Sequence, residues 1–272
     1  MDQTTPPARE ILVHSLLAFW ADAGVDCLYQ DEATDRIAAG LSPPPRRVEA
    51  VAAPLRAIPG PPSADFGALA TAKALAEQAQ DLTALAAAIA GFEGCSLRFD
   101  GAATRAVFAR GPANAPVMII GEAPGADEDA RGEPFVGRAG QLLDRMLAAA
   151  GLTDRVFITN TVFWRPPGNR TPTPAEQAVC APFVARAIAL VQPKMLLLVG
   201  GAAAKAMLQR DEGILAMHGR WFEWRSEDKG MELPAMPTLH PAFLLRQPAA
   251  KKKAWSDLVS LVQRLDRPDR PH

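Results

Sequence analysis

Four short apolar runs, each closing on glycine or a polar residue or leading straight into one, constrain this chain more than any other feature. Val117–Gly121 (VMIIG), Val156–Asn160 (VFITN), Met195–Val199 (MLLLV) and 236–240 (MPTLH) carry no charge and suit strands buried on both faces of a sheet. Helical patterns separate them. Residues 141–150 put Leu142, Leu143, Met146 and Leu147 on one face, and 174–192 opens with Thr173 as a cap and Pro174 in the first turn. From Val107 onward this alternation predicts an α/β fold, a parallel sheet covered by helices on both faces. Such open sheets bind ligands outside the carboxyl ends of their strands. The polar motifs fall there: GEAPG follows the first run, Asn160 closes the second and His240 closes the fourth.

The remaining segments set the domain plan. Ile11, Val13, Leu16, Leu17 and Trp20 have helical spacing, predicting a helix over 10–24 within an N-terminal helical extension, 1–41. PPPRR, APL and PGPP make 42–64 a Pro-rich linker. Residues 65–91 read as helical with Asp81 capping the second part, so 65–81 is a helical lead-in, 82–266 the α/β domain and 267–272 a tail. Trp255, Leu258, Val259 and Val262 form a stripe expected to face the core. The apolar stretch 11–20 is too short to span a bilayer, and the start lacks a basic region followed by a small-residue cleavage site. Three scattered cysteines, Cys27, Cys95 and Cys180, do not make a disulfide framework, so a cytoplasmic, monomeric protein is expected. The net charge of -1 says nothing about nucleic acid, although seven basic residues face three acidic ones from His240 onward.

Residues 121–140 read GEAPGADEDARGEPFVGRAG. Glycines and a proline around Glu122 predict a tight turn whose backbone can approach a ligand closely. It is not a calcium loop, because Arg131 and Arg138 stand where acidic ligands are needed. GGAAAK at 200–205 lacks the second glycine of a phosphate loop and fits a strand-to-helix turn.

Three motifs in order, GEAPGADEDARGEPFVGRAGQLLD, TNTVFWRPPGNRTPTP and LHPAFLLRQPAAKKKAW, resemble those of family 4 uracil-DNA glycosylases, and the similarity covers roughly residues 82–265. The resemblance implies a three-layer α/β/α domain with a central four-stranded parallel sheet. It implies a monofunctional DNA N-glycosylase of base excision repair, breaking the bond between uracil N1 and deoxyribose C1′ after the nucleotide leaves the stack. Phe135 matches the ring that stacks on the extruded base, and Asn160 the amide that donates to O4 and accepts from N3–H. His240 then faces O2, where negative charge accumulates. Glu122 positions the attacking water or stabilises the cationic sugar, or else braces the loop. Gly121, Ala123, Glu128 and Asn169 match pocket or supporting positions. Leu244 or Leu245 is the expected wedge filling the vacated stack, with Arg246, Lys251 to Lys253, Arg165 and Arg170 toward phosphates. His14, His218 and His272 receive no role.

The family holds an iron-sulfur cluster through four cysteines. Cys95 and Cys180 match two of those positions, whereas Phe92 and Trp164 occupy the other two. No cluster and no other cofactor is therefore expected, with Phe92 and Trp164 filling the volume as an apolar plug. The expected partner is uracil-containing DNA, single- or double-stranded, and no membrane. Two alternatives stay open: a non-catalytic damaged-DNA-binding protein, and a glycosylase for another deaminated base such as hypoxanthine.

Overall fold

The computed structural model describes residues 66–227 and 230–266. The chain divides into two units, Met1–Ile58 and Pro59–His272, and everything described lies in the second. The helix expected over 10–24, the whole of the linker and the tail lie outside the described residues.

Two helices lead in: α1, Phe66–Gln78, and α2, Leu82–Gly91. Asp81 caps α2, its carboxylate accepting from the Ala84 amide at 2.7 Å. The α/β alternation follows as β1 (Ala109–Arg110), β2 (Val117–Gly121), α3 (Ala126–Arg131), α4 (Arg138–Ala149), β3 (Val156–Asn160), α5 (Pro174–Val191), β4 (Met195–Val199) and α6 (Gly201–Leu208). After these come α7 (Ile214–Met217), β5 (Phe222–Arg225), β6 (Glu232–Thr238), α8 (Pro241–Arg246) and α9 (Lys251–Asp266).

The six strands form one sheet in the order β1-β3-β2-β4-β6-β5. The inner four are parallel, as expected, and the sheet is extended by two edge strands that the apolar runs do not reveal. β1 pairs antiparallel with β3, and β5 pairs antiparallel with β6. β6 starts earlier and stops sooner than the expected 236–240. Pro234 and Pro237 obscure its start, and the chain turns at Leu239 so that His240 caps α8.

Side chains alternate across the sheet and build two cores. Met118, Ile120, Phe157, Leu196 and Leu198 pack with α1, α2 and α5; Val117, Ile119, Ile158, Leu197 and Met236 pack with α4 and α9. α5 is long and apolar enough to cross a membrane, but Val179, Cys180, Phe183, Val184, Ala187 and Ile188 on it are core residues of this domain. The stripe expected on α9 is rotated. Ala254, Asp257, Leu258, Leu261 and Leu265 face inward, while Trp255 and Val259 are exposed, because Asp257 is drawn inside by polar partners on β6 and beyond α7.

Candidate active site

The parallel register sets Gly121 beside Asn160 at the carboxyl edge of the sheet. Thr161 locks the two strand ends together: its amide donates to the Gly121 carbonyl at 2.9 Å and its hydroxyl to the Glu122 carbonyl at 2.7 Å. Glycine is required at 121, since a Cβ there would collide with the Asn160 Oδ1 and the Phe135 ring. The Asn160 side chain and the Phe135 ring are thus neighbours across one Cα. Asn160 is 1% exposed, and neither its Nδ2 nor its Oδ1 has a hydrogen-bond partner, a state shared by no other buried side chain among the described residues. Orphaning both atoms of a buried amide costs about 1–3 kcal/mol apiece, so such a group is held for something that binds.

Phe135 sits in the left-handed region with φ 55°. Few bulky residues adopt it, and the cost is on the order of 1–2 kcal/mol. Gly140 on α4 makes room for it, because a Cβ at 140 would overlap the Phe135 carbonyl. Glu128 on α3 accepts the amides of Val136 and Gly137 on one oxygen, both at 2.9 Å, and that of Gly125 on the other at 3.1 Å. Its carboxylate braces the loop rather than opening toward a ligand.

His240 caps α8 through its ring: Nδ1 accepts from the Ala242 amide at 3.1 Å. That leaves the proton of a neutral imidazole on Nε2. Burial, aided by the Arg246 charge, pushes its pKa down to about 4, so the ring is neutral at pH 7. The imidazole lies 5.8 Å from the Phe135 ring centroid to centroid, tilted 33°, and packs on Gly200, whose φ of +94° and missing side chain let the β4 turn pass beneath it. Two residues earlier the strand is pinned. The Thr238 hydroxyl donates to Asp257 at 2.8 Å, and His218 Nδ1 lies 3.3 Å from both oxygens of the same buried carboxylate. The sequence pattern gives His218 no part and Asp257 none beyond its charge. No spacing signal links positions from the turn after α7, β6 and α9.

Asn160, Phe135, His240 and Gly121 therefore meet at one edge. Glu122 follows Gly121 there, partly exposed, with a carboxylate that has no hydrogen-bond or ion-pair partner among the described residues. Ala123 packs on the adjoining core. Asn169 lies in an exposed turn, where its side-chain oxygen accepts from Arg165 Nε at 2.8 Å. Arg170 is committed by both terminal nitrogens to Glu176 of α5, at 2.9 and 2.7 Å. Leu244 needs a correction. It is fully buried against Leu142, Leu239 and Ala254, so it cannot protrude, and of the two leucines Leu245 is the one left partly exposed, followed by the exposed Arg246 and Lys251.

The cluster implied by the resemblance does not fit the residues present. Cys95 and Cys180 lie with sulfurs 4.0 Å apart, both buried, and burial pushes the Cys180 thiol pKa upward. At the other two positions stand rings. Phe92 lies 6.4 Å from Trp164 and 5.2 Å edge-on from Phe183, and Trp164 meets Phe163 edge-on at 6.2 Å. Two thiols cannot replace four thiolates, and no group of three or more His, Cys, Asp or Glu suited to a metal occurs among the described residues. Cys27 lies outside them.

Comparison with known proteins agrees with this geometry. Residues 108–259 match the family model described as the uracil DNA glycosylase superfamily. The type-4 uracil-DNA glycosylase of Pyrobaculum aerophilum is 40% identical over 148 residues, covering 53% of this chain and 74% of the relative. That of Sulfurisphaera tokodaii is 38% identical over 164 residues, 58% and 74% of the two chains, and that of Thermotoga maritima 37% over 145 residues, 53% and 73%. The stretch 108–259, which carries the orphaned Asn160, the strained Phe135 and the neutral His240, is the part that matches, and the chain belongs to the uracil DNA glycosylase superfamily.

Proposed function

We propose that this protein is a monofunctional uracil-DNA glycosylase, which hydrolyses the N-glycosidic bond of a deoxyuridine flipped out of DNA. The observation that carries the reading is the unpaired, buried amide of Asn160 beside the Phe135 ring. It accommodates a flat ligand whose edge offers an acceptor next to a donor, as uracil O4 and N3–H do. Phe135 supplies the face on which that base stacks.

In the reaction a C1′–O bond forms to water as the C1′–N1 bond breaks, and the bonding pair leaves on uracil, spread over N1 and O2. The Nε2–H of neutral His240 donates to O2 as that charge grows, a type of contact worth about 3–4 kcal/mol. Neutrality matters, because the donor then strengthens its bond without giving up its proton. The free carboxylate of Glu122 orients the water, takes its proton and offsets positive charge on the sugar. Leu245 fills the vacated stack, and Arg246 with Lys251 holds phosphates. No step calls on a metal, and the rings of Phe92 and Trp164 at two of the four expected thiolate positions support a cofactor-free reading.

Incubating the protein with single- and double-stranded oligonucleotides carrying one deoxyuridine tests this reading; free uracil and an abasic site are expected, with hypoxanthine-containing strands left intact. Binding without base release would overturn it. Iron and acid-labile sulfide assayed on anaerobically purified protein should show traces only, and stoichiometric amounts of both would refute the cofactor-free reading.

A further inference from the structure

The strained Phe135 is held from two sides, and only one of them comes from its own motif. Glu128 takes the amides after it. The carbonyls before and at it are taken by Arg110, a residue of the edge strand β1. Its Nε donates to the Pro134 carbonyl at 2.8 Å and its Nη2 to the Phe135 carbonyl at 3.3 Å, while Nη2 also pairs with Asp144 of α4. A planar guanidinium can make these contacts at once because its donors diverge in a fixed fork.

Arg110 is itself fixed by the sheet. It pairs with Ile158 of β3, two residues before Asn160, and the neighbouring Thr159 hydroxyl donates to the Phe108 carbonyl at 2.7 Å. One short strand therefore couples the backbone of the stacking ring to the strand that delivers the edge-reading amide. Without it, nothing on the β1 side would oppose relaxation of a φ of 55° toward the common regions.

We infer that Arg110 is a positioning residue, holding the Phe135 ring in its place beside Asn160 and His240. The inference rests on the glycosylase reading and adds a residue to it. Arg110 touches no base; it acts through Phe135, and the loss on removing it reflects the falling fraction of molecules with the ring in place.

A double-mutant cycle on kcat/KM for uracil release separates this role from general support. Arg110→Ala should lower kcat/KM about tenfold, and Phe135→Ala by more; adding Arg110→Ala to Phe135→Ala should change it by less than about twofold. Arg110→Lys, which keeps the Asp144 ion pair and the fold but not the fork, should fall between wild type and Arg110→Ala, and the same cycle applies with it if the alanine variant does not fold. Multiplying effects in the double variant, or an Arg110→Lys enzyme equal to wild type, would overturn the inference while leaving the glycosylase reading standing. A wild-type protein that releases no uracil would sink both.

Discussion

Asn160 and Trp164 lie on one continuous buried segment, residues 160–164, yet they are buried for opposite reasons. Trp164 is enclosed by Phe92 and Phe163, apolar surface against apolar surface, and its burial is its own reward. Asn160 is equally dry and has nothing to bond. The first is a site that folding completes; the second is one that only a ligand completes. Function in this molecule is concentrated where the folded state leaves polar groups unsatisfied, and stability where it leaves none.

The comparison breaks if the two regions respond alike to substitution. Trp164→Ala should lower unfolding free energy by about 3–5 kcal/mol in denaturant titrations, while the activity per folded molecule at low temperature stays within a few-fold of wild type. His240→Ala should do the reverse, lowering kcat by about 10²–10³-fold while losing the α8 cap costs only about 1 kcal/mol of stability.

Acid sharpens the contrast. Burial holds the folded-state pKa of His240 at about 4, below the ordinary 6.5, so as pH falls the unfolded chain takes up the proton first. The stability this histidine permits is full above about pH 6.5 and is lost progressively as pH falls from there to about 4, by up to roughly 3 kcal/mol. Melting curves from pH 7 to 4 should show that slope in wild type and lose it in His240→Ala. The rate of base release should show no inflection near 6.5, because the ring remains neutral in the folded enzyme.

The smallest change in stability is the most discriminating. Asn160→Leu replaces two orphaned polar atoms by methyl groups of similar shape, and should abolish activity while raising stability by roughly 1–2 kcal/mol in the free protein. A marked loss of stability would mean that the amide is part of the scaffold after all.

Much of this arrangement is legible in the sequence. The four inner strands, the Asp81 and Thr173 caps and the gathering of residues 121, 160 and 240 at one edge follow from hydrophobic pattern and capping chemistry, while Phe135 joins them only through the family resemblance. What stays hidden is set by tertiary partners. Ala109–Arg110 is too short to leave a pattern, and its register depends on β3. Asp257 breaks the expected stripe on α9 because Thr238 and His218 are there to receive it. Leu244 and Leu245 are alike in sequence, and only the α8 helix decides which one faces the core. The strain at Phe135 cannot be read from composition, since it exists only where Arg110, Glu128 and Gly140 converge.

If the Asn160 amide is reserved for the edge of a uracil, binding must engage it. Nuclear magnetic resonance of the side-chain amide protons, on adding an oligonucleotide with a deoxyuridine analogue whose glycosidic bond resists hydrolysis, tests it most directly. The Asn160 pair should move strongly downfield with that strand and stay in place with the matching cytosine strand. An unmoved Asn160 resonance on a saturated complex would refute the edge-reading role of this amide.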